Sequence, residues 1–247
     1  MPFGRVNFDG LSYEDVTPFK RKMPRTNLDH QLHLIRDDLL LLGSMVETAL
    51  EESVAALRDF DLEKSRAVYE NDTQINDKRF DLEGQIMTVI AIQSPVLFDL
   101  RFLASALIIC TELERIGDYA KTIARISLMS EGISIPRFLN TIYDMGIKTS
   151  DMLHRSMTAF IQTNARSAIR IISDDDMIDA MYANLYSDLM EFAARNAYNV
   201  ERVNSLLWVG HNLERAADRV TNICERTIYV ETGEIGDVTP AYLRLQK

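Results

Sequence analysis

Proline placement limits this chain more than any other feature. Three of the six prolines, Pro2, Pro18 and Pro24, fall within the first 27 residues, and the others are Pro95, Pro136 and Pro240. Proline inside a helix costs about 3 kcal/mol, because it removes a backbone donor and clashes with the preceding turn. The proline-free windows 25–94, 96–135 and 137–239 are each longer than an ordinary helix and rich in Leu, Ile, Ala, Met, Glu and Arg. No alternating Val/Ile/Thr-rich segment with turn signals stands out in them, so no sheet is expected.

The apolar residues then divide the windows into helices. Leu28, Leu32, Ile35, Leu39, Leu42, Val46, Ala49, Leu50, Val54 and Leu57 keep helical spacing. Asp59-Phe60-Asp61 offers a turn, with Asp61 as N-cap. Val68, Ile75, Leu82, Ile86 and Val89 carry a second helix up to Gln93-Ser94-Pro95. A third runs from about Val96 to Met129. The pattern restarts at Leu139, Ile142 and Met145, Asn164 stands where Asp61 stood, and a fifth and a sixth helix follow. Leu42-Gly43 is matched by Met145-Gly146, and Leu113-Glu114-Arg115-Ile116-Gly117-Asp118 by Leu213-Glu214-Arg215-Ala216-Ala217-Asp218. The expected fold is all-α: six long helices forming two tandem antiparallel three-helix bundles related by an internal pseudo-twofold repeat. The bundles cover 28–131 and 137–233. Residues 1–27 read as a flexible basic arm, with five basic and three acidic residues, and 234–247 as a frayed C-terminal tail.

The repeated Glu and Asp lie four apart, one turn apart on one helix face, where like charges repel by roughly 0.2–0.5 kcal/mol. A chain that does this twice in register needs a cation, a basic side chain or open water to offset the repulsion. On the sixth helix the stripe continues as His211, Glu214, Asp218, Asn222 and Glu225; on the third it reads Thr111, Glu114, Asp118, Thr122 and Arg125. The preceding helices offer facing partners, Asp175 and Asp179 in the second half, Asp72 and Asn76 in the first. Neighbouring helices pack 8–10 Å apart, so carboxylates from two helices can share a metal. The candidate ligands are therefore Asp175, Asp179, Glu214, Asp218, Asn222 and Glu225 in one half, and Asp72, Glu114 and Asp118 in the other. Oxygen ligands suit magnesium, calcium, manganese or iron. The second half is expected to bind metal more tightly, because Arg125 stands in the first-half stripe. The competing reading is a solvated acidic helix face with ordinary dipole compensation at the helix start.

The remaining features narrow the classes. A net charge of −10 and a pI near 4.9 argue against nucleic acid as the main partner. Residues 1–27 lack the apolar core of a secretory signal, and nothing approaches 18 consecutive apolar residues, so no transmembrane segment is expected and the protein reads as cytosolic. Cys110 and Cys224 fall on apolar faces, outside any CxxC pair, and read as buried free thiols. Tyr119 and Trp208 read as packing residues, Arg115 and Arg215 as surface salt-bridge partners, and His211 as a polar surface or seam residue. No Gly-rich phosphate loop, GxSxG or HExxH is present, and no His follows a Glu by three positions as in di-iron oxidase bundles. No catalytic residue is assigned.

The two LERxxD segments and Asp99-Leu100-Arg101 resemble the PhoU family, over about Asn27 to Gly233. The resemblance implies a cytoplasmic accessory protein of the phosphate-specific transport system. It would repress the phosphate-starvation response by contacting the phosphate ABC transporter's ATPase and the sensor histidine kinase. It further implies a possible homodimer and iron or zinc clusters on the acidic faces, with Glu114, Asp118, Glu214 and Asp218 matching the motif. Asn222 and Glu225 keep the family pattern, whereas Thr122 and Arg125 do not, and Asn76 stands where an acid is often found. A metal-dependent oxidase or metal-storage bundle is the rival reading, and a structural helical adaptor a third.

Overall fold

In the computed structural model, which describes residues 25–129, 135–195 and 200–234, all regular structure among those residues is helical. The six helices are α1 (Arg25–Asp59), α2 (Leu62–Gln93), α3 (Leu97–Met129), α4 (Pro136–Ile161), α5 (Ala165–Arg195) and α6 (Val200–Thr232). Most of the basic arm, the junction after Met129 and the tail from residue 235 lie outside the described residues. Helix α1 starts three residues inside the stretch expected as arm. None of the described helices is long and apolar enough to cross a membrane.

The local signals explain the breaks. Asp61 caps α2 by accepting from the Lys64 amide at 2.9 Å, and Asn164 does the same for α5 with the Ser167 amide at 2.9 Å. Each satisfies an amide that a helix start leaves without a partner. The residue before each cap, Phe60 at φ 57° and Thr163 at φ 53°, is left-handed without being glycine. The two turns thus carry the same backbone strain at equivalent positions, 60 and 163, and the caps offset it. Helix α6 ends at Gly233, whose φ of 77° suits a residue without a Cβ.

Helices α1–α3 pack together, as do α4–α6, and the halves meet through α1 on α4 and α3 on α6. Helices α2 and α5 stay on the outer flanks. The α1–α4 crossing explains the Gly43/Gly146 repeat. A Cβ on Gly43 would stand 3.2 Å from Met157, and one on Gly146 only 2.7 Å from Val54. Residues 43 and 146 are equivalent positions, and so are 54 and 157, so each half places its glycine under the other's side chain. The buried apolar residues of both halves, including Leu42, Leu50, Phe102, Leu113, Phe160 and Leu213, form one continuous cluster. Phe102 stacks on Phe160 across the halves at 5.1 Å between centroids.

Candidate functional site

The duplicated motif gives duplicated placement. Over residues 111–124 and 211–224 the order of buried, intermediate and exposed positions is identical. Leu113 and Leu213 anchor each copy in the core with no exposed surface. With that face buried, helical spacing turns Glu and Asp of the motif toward the outer helix of the same half. Asp175 on α5 therefore meets Glu214 and Asp218 on α6, and Asp72 on α2 meets Glu114 and Asp118 on α3.

In the second half the carboxylates crowd, and no hydrogen bond reaches Asp175 Oδ1. Asp175 is pushed up to about 6, first by burial, then by Asp179, Asp218 and Glu214. Burial and Asp218 raise Glu214, with His211 and Arg215 opposing, and burial and Asp179 raise Asp218, with Arg219, Arg215 and His211 opposing. His211 Nδ1 stands 3.4 Å from Glu214 Oε2, outside hydrogen-bond geometry. Asp175 Oδ1 and Glu214 Oε2 are buried oxygens with no hydrogen-bond partner. A buried carboxylate oxygen left unpaired costs free energy that a proton or a cation relieves. This donor set, all hard oxygen from two helices, fits a hard cation. Among the described residues, however, no three His, Cys, Asp or Glu side chains are already arranged around a common metal position.

The first half resolves the same crowding internally. Asp72 is 4% exposed and accepts from Lys121 Nζ at 2.6 Å and from Asn76 Nδ2 at 3.0 Å. Burial and Asp118 raise Glu114, with Arg79 pulling the other way. Burial and Asp72 raise Asp118, with Lys121 opposing. The Asp72 carboxylate in turn holds the Lys121 ammonium above its ordinary value. The expected first-half cation, Arg125, is not that group: it faces α6, in a cleft with Thr122, Trp208 and Asn212. Lys121 was missed because it stands three residues beyond Asp118 rather than four, although the repeat pairs it with Thr221.

Two residues expected in the second-half site are placed elsewhere. Asn222 Nδ2 donates to Glu112 Oε2 on α3 at 3.2 Å, beside Arg219 Nη1 at 3.4 Å. It belongs to the contact between the halves, because position 222 lies on the flank of α6 turned toward α3. Glu225 stands 4.0 Å from Arg226 and is absent from the charges that dominate Asp175, Glu214 and Asp218. Arg215, expected at a surface salt bridge, lies over the Tyr119 ring at 5.6 Å. Trp208, expected to pack, is 55% exposed. Cys110 and Cys224 are buried free thiols, pushed up to about 12 by burial, which leaves no reactive thiolate near neutral pH.

Comparison with known proteins gives one consistent match. The PhoU domain family model matches residues 39–127 and 142–227. The chain is 30% identical over 217 residues to a phosphate-specific transport system accessory protein PhoU homolog of Clostridium acetobutylicum, covering 87% of this chain and 99% of that one. It is 29% identical over 204 residues to the protein of that name, PhoU, from Escherichia coli K12, covering 83% and 85%. The crystal structure of the phosphate transport system regulatory protein PhoU from Streptococcus pneumoniae superposes with a TM-score of 0.79 at 30% identity, covering 85% of this chain and 99% of that chain. PhoU from Pseudomonas aeruginosa gives 0.79 at 29%, covering 83% and 99%.

Proposed function

The chain belongs to the PhoU family, and from that premise we propose that it is a cytoplasmic regulator of phosphate uptake that lowers phosphate-starvation signalling when phosphate is plentiful. It acts by contact rather than catalysis, on the phosphate transporter's ATPase and on the sensor histidine kinase. The observation that carries this reading is the family match across both repeats, together with relatives named as accessory proteins of phosphate transport. The sequence carries no Gly-rich phosphate loop, GxSxG or HExxH motif. Deleting the gene should switch on a phosphate-starvation reporter in phosphate-rich medium, and restoring it should switch the reporter off. A reporter that stays silent in the deletion strain, in a cell with no second copy, counts against the proposal.

Within that role, the second-half cluster is proposed to bind a cation through Asp175, Asp179, Glu214 and Asp218. Iron, zinc, manganese and magnesium are the ions to test. The support is the pair of unpartnered buried oxygens on Asp175 and Glu214 and the mutual repulsion of the four acids. A bound cation would supply the positive charge that the first half takes from Lys121. Replacing Glu214 and Asp218 together by Ala should remove bound metal measured on purified protein. Replacing Glu114 and Asp118 should leave it. Loss of metal with the first-half pair alone would reverse the assignment.

A further inference from the structure

The contact between α3 and α6 is antiparallel, so the pseudo-twofold axis passes between Gly117 and Ala217 and gives the contact two equivalent ends. At one end Glu112, 8% exposed, accepts from Arg219 and Asn222, and farther along α6 Glu225 stands 4.0 Å from Arg226. At the other end the same positions carry other residues: Asn212 replaces Glu112, Tyr119 replaces Arg219, Thr122 replaces Asn222, Arg125 replaces Glu225 and Trp208 replaces Ile108. No acid remains. Asn212 turns its Nδ2 back to the Trp208 carbonyl at 2.6 Å. A cavity of 280 Å³ stays open, lined by Thr122, Arg125, Ile126, Ser205, Trp208 and Asn212.

We infer that this open end is a binding pocket for a carboxylate, taken by the Arg125 guanidinium against the exposed Trp208 ring. The filled end displays the chemistry: the space beside this crossing accommodates a carboxylate that receives hydrogen bonds from a guanidinium and an amide. At the open end Asn212 stands in place of that carboxylate and Tyr119 in place of Arg219, and the guanidinium lining the space is Arg125, at the position of Glu225. A planar, two-oxygen anion suits the fork of an arginine. An aromatic wall with one charged donor and a few hydroxyls is the usual make-up of a small-ligand pocket, and the volume lies at the small end of that class. The carboxylate can be a free organic acid or an acidic side chain of a partner, and the chemistry is the same for both.

Trp208 is the single tryptophan of the chain and lines this pocket; it also borders Tyr182 and His211, so the Arg125 variant is what assigns a fluorescence change to this pocket. The full chain would be titrated at constant ionic strength and pH with acetate, with succinate, with an Asp/Glu-rich peptide and with inorganic phosphate. A saturable change with the carboxylates, weaker with phosphate, is expected. Succinate ahead of the peptide assigns a free acid, and the peptide ahead of succinate assigns a partner's side chain. Arg125 is exposed, so Arg125→Gln should fold, and it should weaken binding roughly tenfold, the loss expected for one charge-assisted hydrogen bond. Glu225→Gln, at the filled end, should leave binding unchanged. The indole N–H resonance in a ¹H–¹⁵N spectrum provides a second readout. The inference is overturned if no carboxylate gives a saturable change, if Arg125→Gln binds as well as the parent, or if phosphate binds more tightly than any carboxylate.

Discussion

On α3 and α6 the two LERxxD segments occupy equivalent positions with the same burial, yet their acids live in different surroundings. Asp72 is the more deeply buried of the two flank acids and the better satisfied, because Lys121 and Asn76 both donate to it. Asp175 is less buried but has an oxygen with no partner and four acids acting on it, Asp179, Asp218, Glu214 and Asp176. Position 121 is lysine where 221 is threonine, and 76 is asparagine where 179 is aspartate. Positions 121 and 76 thus decide whether the flank acid is hydrogen-bonded, and a third difference, Arg79 where the second half has Tyr182, adds positive charge to the first cluster. Burial alone does not decide which acid is strained; the sign of its neighbours does.

The largest effect should come from removing the lysine. Lys121→Met leaves Asp72 buried beside Glu114 and Asp118 with no ammonium. Loss of one partner of a buried pair costs about 3–5 kcal/mol. Lys121 is one-third exposed, so screening reduces the expectation to about 2 kcal/mol, read by urea unfolding. Unchanged stability would show that Asp72 does not depend on Lys121.

The opposite sign is expected across the repeat. In metal-free protein, Asp175→Asn removes a charge that its neighbours repel, and should stabilise the fold at pH 7 by about 1 kcal/mol after discounting for partial exposure. A loss of stability at pH 7 would break the comparison. The same variant fixes the pH dependence. Asp175 has a folded value near 6 against an ordinary 3.8, so between those values the folded state holds a proton that the unfolded state has released. Stability from this group is therefore fully present below about pH 4 and lost as pH rises through 6. The advantage of Asp175→Asn should be largest at pH 7 and close as pH falls toward 4, which thermal unfolding across that range can follow. A gap that widens on acidification would reverse the sign.

How much of this was legible in the sequence depends on the range of the information. Proline spacing, the caps at Asp61 and Asn164 and the repeated motif are local, and they defined six helices and a duplication. Helical spacing also brought Asp175, Asp179, Glu214 and Asp218 to facing surfaces. It fails where a face borders two neighbours. Asn222 follows Asp218 by four residues, but its flank of α6 meets α3, so its amide goes to Glu112. Reach misleads as well: Arg125 lies in line with the acids yet two turns beyond Asp118, whereas Lys121, off the four-residue step, is near enough to bond Asp72. Trp208 looked like core because tryptophan usually is; only the packing of the two halves leaves it at a cleft.

The most discriminating change should also have the smallest effect on stability. Thr221→Lys would give the second half the lysine of the first. Position 221 follows Asp218 as 121 follows Asp118, and Asp175 stands where Asp72 stands, so the ammonium would be within reach of the strained carboxylate. Little is lost with the threonine, whose hydroxyl bonds only the Asp218 carbonyl of its own helix at 2.8 Å. The gain is limited because one ammonium meets four carboxylates, with Asp179 charged where Asn76 is neutral. A partly exposed pair of this kind is worth about 0.5–1 kcal/mol. Its consequence for cation binding is larger, since a cation and an ammonium would compete for the same oxygens. If manganese or magnesium raises the melting temperature of the parent protein, that rise should vanish in Thr221→Lys and persist in Thr122→Lys, which places a lysine on the α6-facing flank of α3. A cation response that survives Thr221→Lys would mean that something other than the lysine at position 121 separates the two halves.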